Sequence, residues 1–328
     1  MGKELQRTRL QGVLLLTLAA GACAGLSAPK TSPDTVDLAA LWVDPTDLES
    51  RNLFDGAGGR APAPPEVARF EVLAVDHTGY SGGYDVRDRQ GVKWSVKTGP
   101  EAQPEVAVSR ILWSIGYHQP PLYLLTDWQL EGPKAPAGNP GIARFRRDGE
   151  DRSVVAEWSW YENPFVGSKP FQGLVVANLM LNNWDWKTSN NKIYDLREAQ
   201  DGPRRVYVVR DLGASLGRTN FPGLLKWTPA RGMKQGSRND VEGFEKQGFI
   251  KGIDGQRVRF HYNGINGKIV DTVTVDDVIW TCRLMARLSD EQWNDAFRAA
   301  GFNPGEQQRY IGKLKSKIRE GLALAGPA

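Results

Sequence analysis

Cysteine is nearly absent: a chain of 328 residues carries 2, Cys23 and Cys282. A disulfide framework is thereby excluded, and stability has to come from an apolar core. Histidine is almost as scarce, with 3 copies, His77, His118 and His261, and no close His/Cys grouping, which argues against a zinc site. Charge of one sign is lacking too. The net charge is +4, and Lys and Arg are interleaved with acids, so there is no nucleic-acid signature. The densest basic cluster, "RFRR" at 144–147, reads as the solvated face of an alternating strand. Beyond the first segment, no apolar run approaches the roughly 20 residues that span a bilayer.

What is present begins with a leader. The basic "MGKELQRTRL", the apolar "VLLLTLAA" and the small-residue "GACAG" follow the order of a secretory signal over residues 1–22. A buried helix is the alternative, opposed by the N-terminal position and the Pro/Ser/Thr-rich "SAPKTSPDT" behind it. Cys23, with Gly21 and Ala22 before it, sits where a bacterial lipoprotein carries its lipidated cysteine, while Ala20 and Ala22 also fit an A-x-A cleavage site and plain secretion. Either way the mature protein is expected outside the cytoplasm, at the cell envelope, and at a membrane only through a lipid anchor.

Residues 23–65 read as a linker and extension. From 66 the chain alternates as three strands, "VARFEVLAV", "YDVRD" and "VKWSVKT", joined by the glycine-rich "DHTGYSGG" and the tight "RQG", an antiparallel meander. A helix follows in "PEVAVSRILWSIG", where Val106, Ile111, Leu112 and Ile115 share a stripe. "PPLYLLTDWQL" and "IARFRR" add one strand each, which makes five strands and one helix in an N-terminal lobe over 66–160. Residues 161–328 read as a mainly helical lobe: "FQGLVVANLMLNN", "VDDVIWTCRLMARL", "SDEQWNDAFRAAG" with a Ser289/Gln292 capping box, and a last long helix. Cys282, on an apolar helix, reads as core.

The chemistry concentrates in "WSVK", "PEVAVSRILWSIGY", "NNWDWKTSNN" and "VVRDLGASLG". Asp185 and Asn190 stand five residues apart, and Asp211 follows an apolar strand. Taken singly, each is a turn or cap residue. In this order, on these elements, they resemble the protein-kinase-like superfamily, closest to its atypical branches: secretory-pathway, spore-coat and phosphoinositide kinases. The whole chain also resembles uncharacterised bacterial lipoproteins. No His-Arg precedes Asp185, the interval from Lys97 to Glu105 is short and no "APE" follows "DLG", which points away from ordinary Ser/Thr protein kinases.

The resemblance implies an α+β, two-lobed fold with an antiparallel-sheet N-lobe, and a metal-dependent phosphotransferase. Lys97 would contact the phosphates of ATP, with Glu105, or its rival Glu101, holding the ammonium. Asp185 would be the base for a hydroxyl acceptor on a protein, glycan or lipid. Asn190, or Asn191, and Asp211 would hold Mg2+ or Mn2+, since hard cations prefer oxygen ligands. Gly79, Gly82 and Gly83 would cover the nucleotide, and Gly213 would let the backbone turn after Asp211. The alternative is a catalytically inactive, pseudokinase-type binding or scaffold lipoprotein, for instance for envelope glycans. The aromatics of "WSWYENPF" and "NNWDW" would serve that role if they are not core.

Overall fold

The computed structural model describes residues 36–65, 68–77, 80–136, 138, 140–149, 151–197, 202–219 and 236–326. The leader, Cys23 and Gly79 lie outside the described residues. The first three strands, β1 (Ala68–Asp76), β2 (Gly83–Arg87) and β3 (Lys93–Thr98), form the expected meander. The turn between β2 and β3 is built by Asp88: its Oδ1 accepts from the backbone N–H of Gln90 and Val92, and its Oδ2 from Trp94 Nε1. An Asp that ties its own turn and a core indole fixes register as well as direction.

α1 (Ala102–Ser114) follows and is buried along most of its length. The expected single strand over 120–130 is two, β4 (Leu122–Leu125) and β5 (Trp128–Glu131). With β6 (Ala143–Asp148) they complete a six-stranded sheet in the order β4-β6-β3-β2-β1-β5. β5 lies at the far edge, parallel to β1, a crossover that an uninterrupted apolar run does not announce. One sheet face carries Phe70, Trp94, Trp128 and Phe145, all buried, with Trp128 and Phe145 edge to face at 5.0 Å. Because side chains alternate along β6, Arg144 and Arg146 face the other way, toward the cleft. The reading of "RFRR" as a solvated face is therefore wrong for these two: Arg144 is buried, Arg146 is largely covered, and Arg147 is the exposed one.

The second lobe is organised around α2 (Lys169–Met180), capped by the Ser168 hydroxyl and buried on all sides. Around it stand α3 (Val241–Lys246), α4 (Val275–Ala286), α5 (Asp290–Ala299) and α6 (Pro304–Leu322). Capping boxes start α4, through Thr274 and Asp277, and α5, through Ser289 and Gln292. The lobe is less purely helical than expected. β8 (Asn191–Leu196) and β9 (Arg205–Val209) form a three-stranded sheet with β7 (Arg152–Glu157), which comes from the end of the 66–160 segment, and β10 (Ile250–Asp254) pairs with β11 (Arg257–Phe260). β7 escapes sequence reading because Val154 and Val155 are exposed and no alternation marks it. Trp158, Trp160, Trp184 and Trp186 are all buried, and Trp186 stacks between Trp160 at 5.0 Å and Tyr262 at 4.8 Å. These four indoles are core, whereas Tyr161 of the same segments stands exposed.

α4 and α6 meet where Gly321 lies over Cys282, buried as expected. A Cβ on residue 321 would stand 2.3 Å from Cys282 Sγ. In Gly321→Ala the helix preference for Ala, about 1 kcal/mol, opposes an overpacking cost of about 1–3 kcal/mol, and overpacking wins. Urea unfolding should show a lower midpoint with an unchanged slope; a higher midpoint would mean that the helix pair is not close-packed there.

Candidate active site

The β2–β3–β6 register sets Lys97 between Gly83 and Arg144, on the cleft face of the sheet. Its ammonium lies 3.3 Å from Glu105 Oε2 and 3.5 Å from Glu101 Oε2, and donates to Asp211 Oδ1 across the cleft. Both candidate glutamates thus reach the same ammonium. Burial pushes the Lys97 ammonium toward deprotonation, but Glu105 and Asp211 outweigh it and hold its pKa above the ordinary lysine value. Glu105 stands in the first turn of α1 with 1% of its side chain exposed, between Lys97 and two guanidinium groups, Arg144 at 3.1 Å and Arg146 at 3.7 Å. Burial pushes its carboxyl up, yet Arg144, Lys97 and Arg146 together bring it down to about 2.

The segment after α2 is held by buried amides. Asn183 Nδ2 donates to Asn178 Oδ1 at 2.9 Å, and Asn183 Oδ1 accepts the backbone N–H of Asp185 at 3.2 Å. From α6, Lys317 Nζ donates to Met180 O at 2.7 Å and Asn182 Oδ1 at 2.8 Å, pinning Asn182 in its left-handed conformation. Asp185 emerges with Oδ2 2.9 Å from Lys187 Nζ and with Oδ1 buried and unbonded. A buried carboxylate oxygen without a donor is costly, and such an orphan calls for a partner. Asn190 Nδ2 donates to Asp185 O at 2.7 Å, which leaves Asn190 Oδ1 as the atom free to accept. Asn191, its rival, is fully buried and donates to Trp158 O.

Arg210 N donates to Asn190 O at 2.9 Å, so the Asp185 loop and the end of β9 are tied directly. The sharp backbone turn falls on Asp211 itself, at φ 61, and not on Gly213. Gly213 has a different reason to lack a side chain: a Cβ there would lie 2.5 Å from Glu101 Cβ, so the "DLG" turn touches the start of α1. That corrects the turn-forming role expected of Gly213.

Lys97, Asp185, Asn190, Asp211, Gly82 and Gly83 all line one cavity of about 410 Å³. Glu105 sits behind Lys97, outside the lining. Sequence reading missed the cations that share it: Arg144, Arg146, Lys187, Lys192, Arg210 and Arg238. Only the clustering of Arg144 and Arg146 in "RFRR" could have signalled them. Arg238 bonds Glu101 at 2.9 Å and lies over the rings of Tyr80, at 3.6 Å, and Trp184, at 4.9 Å, closing the mouth beside the glycine-rich turn. Asp211 and Asn190 bring two oxygen donors of the kind a hard divalent cation takes to one cavity, while no group of three or more His, Cys, Asp or Glu side chains that could hold a metal ion occurs among the described residues. The Lys97 ammonium at Asp211 already supplies positive charge there.

Glu105→Gln removes the one carboxylate shared by three cations. The variant should lose about 3–5 kcal/mol of stability, the usual cost of breaking a buried pair. A carboxyl lowered to about 2 from 4.5 gives stability that is complete above 4.5 and is lost as pH falls toward 2. Denaturant melts between those limits should therefore be steeper in pH for the wild type than for the variant; parallel curves would remove Glu105 from the network.

No family model matches the chain, and no curated protein does. Among solved structures it is similar to one titled "Crystal structure of A Helicobacter pylori proinflammatory kinase CtkA", at 11% identity and a TM-score of 0.48, over 80% of this chain and 99% of that one. A sheet in the order β4-β6-β3-β2-β1-β5, a helix between β3 and β4 that faces the strand-borne Lys97, and a mainly helical lobe carrying the Asp185 loop and "DLG" make this a two-lobed α+β fold.

Proposed function

We propose that the protein is a metal-dependent phosphotransferase that moves a phosphoryl group from a nucleoside triphosphate to a hydroxyl acceptor. The observation that carries this reading is the convergence of Lys97, Asp185 with Asn190, and Asp211, from three separate stretches of chain, on one polar cavity. Lys97 supplies a point charge to phosphate oxygens, and Glu105 and Glu101 hold it in place. Asp211 and Asn190 would hold Mg2+ or Mn2+, which neutralises charge on the phosphates. Asp185, whose Oδ1 lacks a donor, accepts the proton of the acceptor hydroxyl. The hydroxyl oxygen bonds to the terminal phosphorus, the bond from that phosphorus to its bridging oxygen breaks, and the nucleoside diphosphate leaves. The reading also takes 1–22 as a secretory signal and Cys23 as a lipid-anchored residue at the cell envelope, with acceptors drawn from protein, glycan or lipid there.

Asp185→Ala should lower transfer by about 10²–10⁴-fold while calorimetric binding of ATP with Mn2+ stays within a few-fold of wild type. Asp211→Ala should impair both. Transfer is followed with labelled ATP to the protein itself and to envelope extracts. Wild-type binding without transfer to any acceptor would hand the chain to the pseudokinase reading, and no binding of nucleotide even with metal would end the site assignment.

Export is tested separately. In cell fractionation the wild type should sediment with membranes and Cys23→Ser should not, because stable anchoring takes more than one acyl chain. A wild type already soluble outside the cytoplasm removes the anchor, and one retained in the cytoplasm removes export.

A further inference from the structure

The cations of the cleft are not balanced. Glu105 is the carboxylate that faces both Arg144 and Arg146, and Lys97 draws on it as well. Arg144 is tied into the scaffold: it is 3.1 Å from Glu105, donates to Ser95 O at 2.8 Å and has 3% of its side chain exposed. Arg146 is held less firmly, with Glu105 at 3.7 Å and a bond to the neutral Ser95 hydroxyl at 3.1 Å. Arg210 reaches in from the end of β9 and donates to the Tyr194 hydroxyl at 3.0 Å; burial works against its charge, but Tyr194, Glu105 and Asp211 outweigh it and hold its pKa above the ordinary arginine value, so Arg146 is the guanidinium of this wall that is left short of compensation. Burial, and then the like charges of Arg144 and Arg210, push the Arg146 guanidinium down to about 10. Guanidinium groups crowded together without matching carboxylates are expensive to keep unless something anionic comes between them.

Their position is set by register. Lys97 pairs with Arg144 and Ser95 with Arg146, so Arg146 stands two residues, about 6–7 Å, along the sheet from the Lys97 row. Arg146 and Arg210 also line a second cavity of about 1080 Å³ beside the β6–β7 connection, so the gap between them is reached from both sides. The flat apolar slot that a nucleobase favours is not what this wall presents; two guanidinium groups from opposite lobes suit phosphate or carboxylate oxygens.

We propose that Arg146 and Arg210 form an anion subsite, so that the ligand of this cleft carries one anionic group at Lys97 and a second, a phosphate or carboxylate, between the two arginines. The Lys97 end rests on the phosphotransferase reading; the arginine end does not. Two sources fit the chemistry, a bare oligophosphate and a nucleotide with an added phosphate, and they are separated by their probes.

The test is calorimetry on the full chain with inorganic tripolyphosphate, adenosine 3′,5′-bisphosphate, Mg-ATP and adenosine. Arg146→Gln and Arg210→Gln should each weaken whichever of the first two probes binds by at least about tenfold, the 1.4 kcal/mol of one lost charge-assisted contact. Arg210→Lys, which keeps the charge, should lose less. Thermal melting without ligand should fall in Arg146→Gln, because Glu105 loses one of the three cations around it, and should change little in Arg210→Gln, whose guanidinium bonds the neutral Tyr194 hydroxyl, so the loss of anion binding in Arg210→Gln is the readout that a merely structural role would not give. Binding within twofold of wild type in Arg210→Gln overturns the subsite, whether or not Arg146→Gln folds, as does equal affinity for adenosine and its bisphosphate. Mg-ATP binding indifferent to both variants, with neither anionic probe bound, sinks the subsite and leaves the phosphotransferase reading standing. Tripolyphosphate binding that depends on both arginines, with no uptake of ATP, sinks the nucleotide and leaves the subsite.

Discussion

Glu105 is the charge on which the cleft depends. A carboxylate removed from water is tolerated because Lys97, Arg144 and Arg146 surround it, and it is the one carboxylate that all three of those cations share. The network spans β3, β6 and α1, so it fixes the height of the helix over the sheet at the point where Lys97 enters the cleft. Lys97 then carries the same charge balance across to Asp211 in the other lobe. Sheet, helix and strand end are joined by a few paired ions, where a larger protein interface would use apolar area.

The opposite wall is built on another principle. There the loop that presents Asp185 is shaped by neutral amides, Asn178 and Asn183, and by one lysine, Lys317, whose ammonium donates to Met180 O and Asn182 Oδ1 and lies over the Phe244 ring at 4.3 Å. Burial pushes the Lys317 ammonium well below the ordinary lysine value, with Lys313 adding to the effect. The aromatic stack of Trp160, Trp186 and Tyr262 backs this loop, so the wall is packed against buried rings although its visible residues are polar. Support of this kind is what a site needs if its groups are to meet a ligand without reorganising.

Much of the fold was legible because strong local signals and tertiary structure agree. The meander, α1, α2 and the Ser289 capping box sit within a few residues of where alternation, stripe and cap chemistry put them. The exceptions share a cause. The break between β4 and β5 and the exposed strand β7 depend on which neighbour each segment pairs with, and pairing partners leave no mark in a short apolar run. At the site, spacing pointed to Lys97, Glu105, Asp185, Asn190 and Asp211, which the fold gathers about one cleft, because family-like motifs are local. Arg144, Arg146, Arg210 and Arg238 were invisible as a group, since they come from β6, the end of β9 and the segment before α3, and only folding brings them to one cavity.

Gly213 gives the arrangement a mechanical side. Where its missing Cβ lets the "DLG" turn lie against Glu101, the lobes touch backbone to side-chain base with nothing compressible between them. The contact leaves no slack: any side chain at position 213 would have to push back the start of α1, and with it Glu101, the carboxylate that pairs with both Lys97 and Arg238.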